Sequence, residues 1–261
     1  MNPRSGGQLG FFEEGPEQTW SYSRLKSLRR CALEYKVRWM EGKQALFQPG
    51  HIEVQAGRVL HHIVREYYRS PVVPEPHRIL LEIYKRLAPV GPAWRDDLQG
   101  EPRVLRALQL FADSPAARLR AAGLEIGCKA QIGDHWFTGQ ADLIFHVEER
   151  PSAFGLLEFK LTDVEVRAED VAERYLQCLI YFLGLPPQFS DSTERLGIYV
   201  FDSGRYENAR LEQGLVDRAI RIVETSLQQA SGPDFPPTLN AFCPSCGYQT
   251  LCPAYSKAKS R

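Results

Sequence analysis

Apolar residues recur at helical spacing through the first 123 residues and at strand spacing afterwards, and this change of period constrains the fold more than any other feature. Leu25, Leu28, Ala32, Leu33, Val37 and Met40 lie on one face of a helix spanning residues 21–40, with Ser21 and Ser23 as candidate caps. A second helix spans residues 53–69 and is stopped by Pro71, Pro74 and Pro76. Residues 78–88 and 102–122 are also predicted helical, separated by a loop with Pro89, Gly91, Pro92, Gly100 and Pro102. Residues 124–132 and 135–147 then form strands around a Gly133-Asp134 turn, and residues 154–161 a short buried strand. A helix at 168–185, a strand at 196–201 and a helix at 211–229 follow. The expected fold is α/β: a mixed sheet flanked by helices, with an N-terminal helical extension.

The 261 residues allow one large domain or two small ones, and 43% apolar residues supply a core and exclude intrinsic disorder. Residues 1–19, rich in Gly, Glu and Pro, are expected to be a disordered tail. Residues 20–261 are then one domain: a helical part to 123, an α/β core from 124 to 230 and a Cys-rich tail from 231 that packs on the first helix. The apolar runs are shorter than the ~20 residues of a membrane helix and no signal peptide opens the chain, so the expectation is a cytoplasmic protein with no membrane partner. In a reducing compartment its six cysteines are thiolates or metal ligands rather than disulfides. The 32 basic and 32 acidic side chains cancel, but not locally. Arg24, Lys26, Arg29, Arg30, Lys36, Arg38 and Lys43 outnumber Glu34 and Glu41 on the first helix. Trp20, Tyr22, Tyr35 and Trp39 lie among these cations, a combination suited to single-stranded nucleic acid.

The most chemical stretch is Gly139-Gln140-Ala141-Asp142-Leu143-Ile144, followed by Leu156-Leu157-Glu158-Phe159-Lys160. Strand alternation puts Glu158 and Lys160 on one face and Leu157, Phe159 and Leu161 on the other. If the second and third strands pair, Asp142 joins them. Two carboxylates and a lysine suit magnesium or manganese chemistry on a phosphodiester, the lysine orienting the attacking water. The competing interpretation is a solvated strand face bearing a Glu/Lys pair.

This order of residues resembles the PD-(D/E)-x-K nuclease superfamily, in particular its RecB-like branch with AddB-type and CRISPR-associated iron-sulfur nucleases. The resemblance implies a restriction-endonuclease-like fold, with Asp142 on the second core strand and Glu158-x-Lys160 on the third. Gly57-Arg58-Val59-Leu60-His61 resembles the family's Gly-x-x-x-His, whose histidine is a further metal ligand; the register selects His61 over His62. Gln177-Cys178-Leu179-Ile180-Tyr181 resembles its Gln-x-x-x-Tyr, in which Gln177 would organise the site and Tyr181 support it.

Cys243, Cys246 and Cys252 form a C-x2-C-x5-C run, and three thiolates this close can converge on one metal centre. The resemblance supplies Cys31 as the fourth ligand and a 4Fe-4S cluster as the cofactor; structural zinc is the alternative that spacing leaves open. Such a centre would staple the tail to the first helix. Cys128 and Cys178 are expected to be buried packing residues. The resemblance implies a Mg2+- or Mn2+-dependent DNA nuclease, an exonuclease on single-stranded ends, acting in DNA repair, recombination or CRISPR adaptation. No Gly-x4-Gly-Lys-Ser/Thr loop is present, so a helicase motor would come from a partner in trans. The alternatives are a non-catalytic DNA-binding or assembly module on the same fold, and a zinc-stapled protein unrelated to nucleases.

Overall fold

The computed structural model describes residues 19–45, 51–70, 75–87, 102–162, 169–230, 232 and 234–259. The expected disordered tail, the Pro71 and Pro74 stop signals and most of the Pro/Gly loop between 88 and 101 lie outside these residues.

Chain order begins with α1, Tyr22–Arg30, whose first turn is capped by the Ser21 hydroxyl accepting from the Arg24 N–H at 3.2 Å. The predicted single helix over 21–40 is interrupted. Cys31 is extended at φ −163° and ψ 115°, and helix resumes as α2, Ala32–Tyr35, then a π-helical turn at Lys36–Met40. The break turns the Cys31 side chain toward the C-terminal tail, as shown below.

The helices α3, His51–Arg69, α4, Pro76–Leu87, and α5, Pro102–Asp113, follow. The predicted helix over 102–122 ends early, because Pro115 has no N–H to continue it; a 3-10 turn, Pro115–Arg118, leads into the sheet instead. Strands β1, Ala121–Ile132, and β2, His135–Val147, form the expected hairpin, with Gly133 at φ 57° in its turn. Strand β3 is Arg150–Lys160. The predicted helix over 168–185 divides at Tyr175 into α6, Val171–Arg174, and α7, Leu176–Leu183, followed by the short α8, Pro187–Ser190. Strand β4, Thr193–Val200, pairs parallel to β3, and with β5, Arg205–Arg210, all other neighbours are antiparallel in the order β1-β2-β3-β4-β5.

Strand β5, Arg205–Arg210, was not expected from sequence: its six residues are polar except Tyr206 and Ala209, and it forms a partly exposed edge. Helix α9, Gln213–Ala230, and an unforeseen α10, Pro253–Lys259, complete the chain.

The sheet is buried on both faces. One face sends Ala141, Ile144, Leu156, Ile198 and Val200 against α7, α9 and α1. The other sends Leu143, Phe145, Leu157, Phe159, Tyr199 and Phe201 against α3, α4 and α5. Burial on two faces explains the nearly continuous apolar runs of β3 and β4. Each fully buried Leu or Phe contributes about 1.5–3 kcal/mol, so the buried Glu158 near the end of β3 is conspicuous. Among the described residues no helix is long and apolar enough to cross a membrane.

Candidate active site

The β2–β3 ladder runs from Val147↔Arg150 to Leu143↔Leu157, and beyond that pair the backbones are joined through side chains. The Asp142 N–H donates to Glu158 Oε1 at 3.3 Å, and the Phe159 N–H donates to Asp142 Oδ2 at 2.9 Å. The two carboxylates therefore stand in for ladder acceptors where the strands part. Helix α3 brings His61 to the same point: its Nδ1 lies 3.4 Å from Asp142 Oδ1, and its ring sits edge-on to Phe159 and Phe201. His62 instead contacts Arg65 through Nδ1.

Glu158 Oε2 accepts from Gln177 Nε2 at 2.6 Å and faces Lys160 Nζ at 3.4 Å, as strand alternation requires. Lys160 Nζ donates to Gln177 Oε1 at 2.5 Å, so the amide of α7 bridges the lysine and the glutamate. Gln177 Nε2 is also 3.2 Å from the Tyr181 hydroxyl, one turn later on α7. Gly139 of β2 makes room for that tyrosine, since a Cβ at 139 would lie 2.2 Å from the ring. Side-chain exposure rises from Glu158 at 2% and Lys160 at 14% to Asp142 at 21% and His61 at 39%, so the site opens on the histidine side.

Electrostatics separates the two acids. Burial drives the Glu158 carboxyl well above the usual range and the Asp142 charge adds to this, outweighing Lys160. Burial also acts upward on Asp142, but His61, Lys160 and the Phe159 N–H together hold it below its ordinary value. A buried and a half-buried carboxyl crowded against each other, with an imidazole beside the second, form a donor set whose oxygens suit a divalent cation. Among the described residues no group of three or more His, Cys, Asp or Glu side chains stands close enough to hold a metal ion in this conformation.

At the other end of the molecule the tail returns to the break in the first helix. The Thr238 N–H donates to Cys31 Sγ at 3.5 Å, the Asn240 N–H donates to Cys243 Sγ at 3.2 Å, and Asn240 Nδ2 donates to the Arg30 carbonyl at 3.0 Å. Burial pushes the Cys246 thiol up, with the Glu34 and Cys31 charges adding to it against a bond from the Tyr248 N–H. Cys252 leads into α10. Cys128 and Cys178 are 5% and 1% exposed, packed in the core.

The proposed base-stacking surface needs correction. Trp20 and Tyr35, both 2% exposed, stack on each other inside the core and leave no face for a base. The cations around them are largely engaged: Arg24 lies over both rings, Arg29 pairs with Glu173, Arg30 with Glu34, and Lys36 and Lys43 with Glu41. Tyr22 and Trp39 are half-buried, and the exposed Arg38 lies over the Trp39 ring.

Sequence reasoning also missed Arg65 and Glu125, which join α3 to β1 beside Asp142. Arg65 was detectable in principle, four residues after His61 on one helical face; Glu125 carries no such signal.

The family model of the PD-(D/E)XK nuclease superfamily matches residues 19–253, from the start of the described chain through the cysteine run. The chain belongs to this superfamily. Its five-stranded mixed sheet between helices is the restriction-endonuclease-like α/β architecture. A search among curated proteins by sequence finds no match. Among solved structures, a Eubacterium rectale protein provisionally called an exonuclease is 10% identical, with 92% of this chain and 87% of that one covered and a TM-score of 0.49. The protein SSO0001 is 14% identical, with 93% and 89% covered and a TM-score of 0.38.

Proposed function

We propose that this member of the PD-(D/E)XK superfamily is a metal-dependent deoxyribonuclease whose active site is formed by His61, Asp142, Glu158, Lys160, Gln177 and Tyr181. The observation that carries the proposal is the convergence of an imidazole from α3, carboxylates from β2 and β3, and an amide-held lysine at the point where the β2–β3 ladder opens. Asp142, Glu158 and His61 would hold Mg2+ or Mn2+, which when bound lowers the pKa of water and offsets charge on a phosphoryl oxygen. Lys160 would orient the attacking water with its ammonium, and Gln177 bridges that ammonium and the Glu158 carboxyl. Tyr181 braces Gln177 from the next turn of α7.

The finer reading is an exonuclease on single-stranded DNA ends, of the RecB-like iron-sulfur type, serving repair, recombination or CRISPR adaptation with any helicase supplied in trans. Cys31, Cys243, Cys246 and Cys252 would hold a 4Fe-4S cluster. Support comes from the broken helix that presents Cys31 to the tail, and from backbone N–H groups aimed at the Cys31 and Cys243 sulfurs, as thiolate ligands require.

Two measurements test the proposal. Protein purified anaerobically should be brown and absorb broadly near ~410 nm; a colourless protein with stoichiometric zinc would replace the iron-sulfur reading by the zinc staple. Incubation with Mg2+ or Mn2+ and DNA labelled at either the 5′ or the 3′ end, single-stranded and duplex, should release short products from single strands. DNA binding without cleavage in either metal would leave only a non-catalytic module on the nuclease fold.

A further inference from the structure

Helix α3 meets the sheet at two adjacent points. His61 reaches Asp142 of β2, and one turn later Arg65 Nη1 donates to both oxygens of Glu125 on β1, at 2.9 and 3.0 Å. The β1–β2 ladder passes through Ile126↔Ala141 and Leu124↔Leu143, which places Glu125 directly across from Asp142. Both contacts thus rest on a single rung of the hairpin. At this rung the backbone is distorted: Glu125 has φ 51°, the only positive value at a non-glycine position among the described residues. Glycine would adopt that conformation freely, yet the position carries a carboxylate engaged by Arg65, and Gln140 Nε2 holds its carbonyl at 2.8 Å. His62 and Glu66, on α3 itself, also contact Arg65.

We infer that Arg65 and Glu125 are positioning residues of the nuclease site: their ion pair fixes the turn of α3 that carries His61 over Asp142, and so sets the metal affinity of the site. This rests on the nuclease reading above. His61 is the most exposed of the metal-facing side chains, so its placement depends on where its helix sits as well as on the Phe159 and Phe201 rings beside it. Partners that orient metal ligands from outside the coordination sphere matter by about 10–100-fold in affinity or activity.

The test compares wild type with Glu125→Gly, Glu125→Gln and the charge-swapped Arg65→Glu/Glu125→Arg pair. Mn2+ affinity is read by electron paramagnetic resonance titration, kcat and KM on labelled single-stranded DNA, and folding by thermal unfolding. Glu125→Gly relieves the left-handed backbone and should melt no lower than wild type, while both single variants bind Mn2+ roughly 10–100-fold more weakly and lose kcat in step. KM for DNA should stay within about twofold, and the swapped pair should recover most of the Mn2+ affinity. Wild-type Mn2+ affinity in Glu125→Gly overturns the inference. So does a loss confined to KM in the swapped pair that shrinks as salt rises, which would make Arg65 a phosphate contact. A wild type that binds Mn2+ without cutting refutes the nuclease reading alone, and the pair is then judged on Mn2+ affinity; a wild type that binds no Mn2+ overturns both.

Discussion

Glu158→Gln should make the metal-free protein less stable at acidic pH and more stable at mildly alkaline pH. Glu158 is 1% exposed, and burial followed by the Asp142 charge holds its carboxyl well above the ordinary value. A carboxyl raised in the folded state keeps its proton there while the unfolded chain releases it. Its stabilising contribution is complete below the unfolded value and declines as pH rises through that value toward the folded one. Within that window each pH unit removes up to about 1.4 kcal/mol of wild-type stability, and the amide, which does not titrate, escapes the loss. Against this, the substituted amide has one acceptor oxygen for the Asp142 N–H, the Gln177 amide and the Lys160 ammonium that Glu158 now serves, a pH-independent cost of about 1 kcal/mol. Asp142 shifts in the opposite direction, so its contribution is lost only as pH falls through the acid range and leaves the window above pH 5 undisturbed. Urea unfolding of both proteins in EDTA at pH 5, 6, 7 and 8 measures the difference, with cleavage in Mn2+ run alongside. The variant should gain on wild type as pH rises from 5, until the folded-state value is passed, while losing activity. A stability difference that stays flat across the series would refute the assigned burial of an acid between Asp142 and Gln177.

Three other outcomes follow from the packing and the tail. Gly139→Ala drives a methyl into the Tyr181 ring, which is 8% exposed and braced against Gln177, and should cost about 1–3 kcal/mol; an unchanged melting temperature would show that the ring can withdraw. Leu60→Ala, at a fully buried position of α3 beside His61, should destabilise by about 2–5 kcal/mol in denaturant titration, and a cost below about 1 kcal/mol would contradict the packing of α3 on the sheet. Cys31→Ala should abolish iron content measured after anaerobic purification while Cys128→Ala retains it; equal iron in both variants would remove Cys31 from the ligand set.

The strands of the candidate site were legible because charge interrupts burial there. Asp142 and the Glu158-x-Lys160 triplet stand out only because Leu143, Leu157 and Phe159 around them belong to a core, and alternation alone put Glu158 and Lys160 on one face. Helix breaks were less legible. Nothing in the apolar spacing of residues 21–40 shows that Cys31 leaves the helix, since that break is stabilised by Thr238 and Asn240 more than 200 residues away. Strand β5 was invisible for a related reason: its polar residues are held by the Arg195↔Arg210 to Val200↔Arg205 ladder with β4, not by an apolar face of their own. The stacking role assigned to Trp20 and Tyr35 failed because a cation beside an aromatic ring reads alike whether the ring is exposed or, as here, roofed by Arg24 within the core. Glu125 shows the same limit, its meaning arising from a rung partner and a helix that sequence does not place beside it.

The central claim is that His61, Asp142, Glu158, Lys160 and Gln177 form one metal-dependent hydrolytic site. Single-turnover cleavage of end-labelled single-stranded DNA by wild type, Asp142→Ala and Lys160→Ala, each with Mn2+, Mg2+ or EDTA, tests it most directly. Wild type should cut with either metal and not in EDTA, and both variants should slow by about 10²–10⁴-fold while retaining their fold by circular dichroism. Cleavage by either variant at the wild-type rate, or cleavage that persists in EDTA, would contradict it.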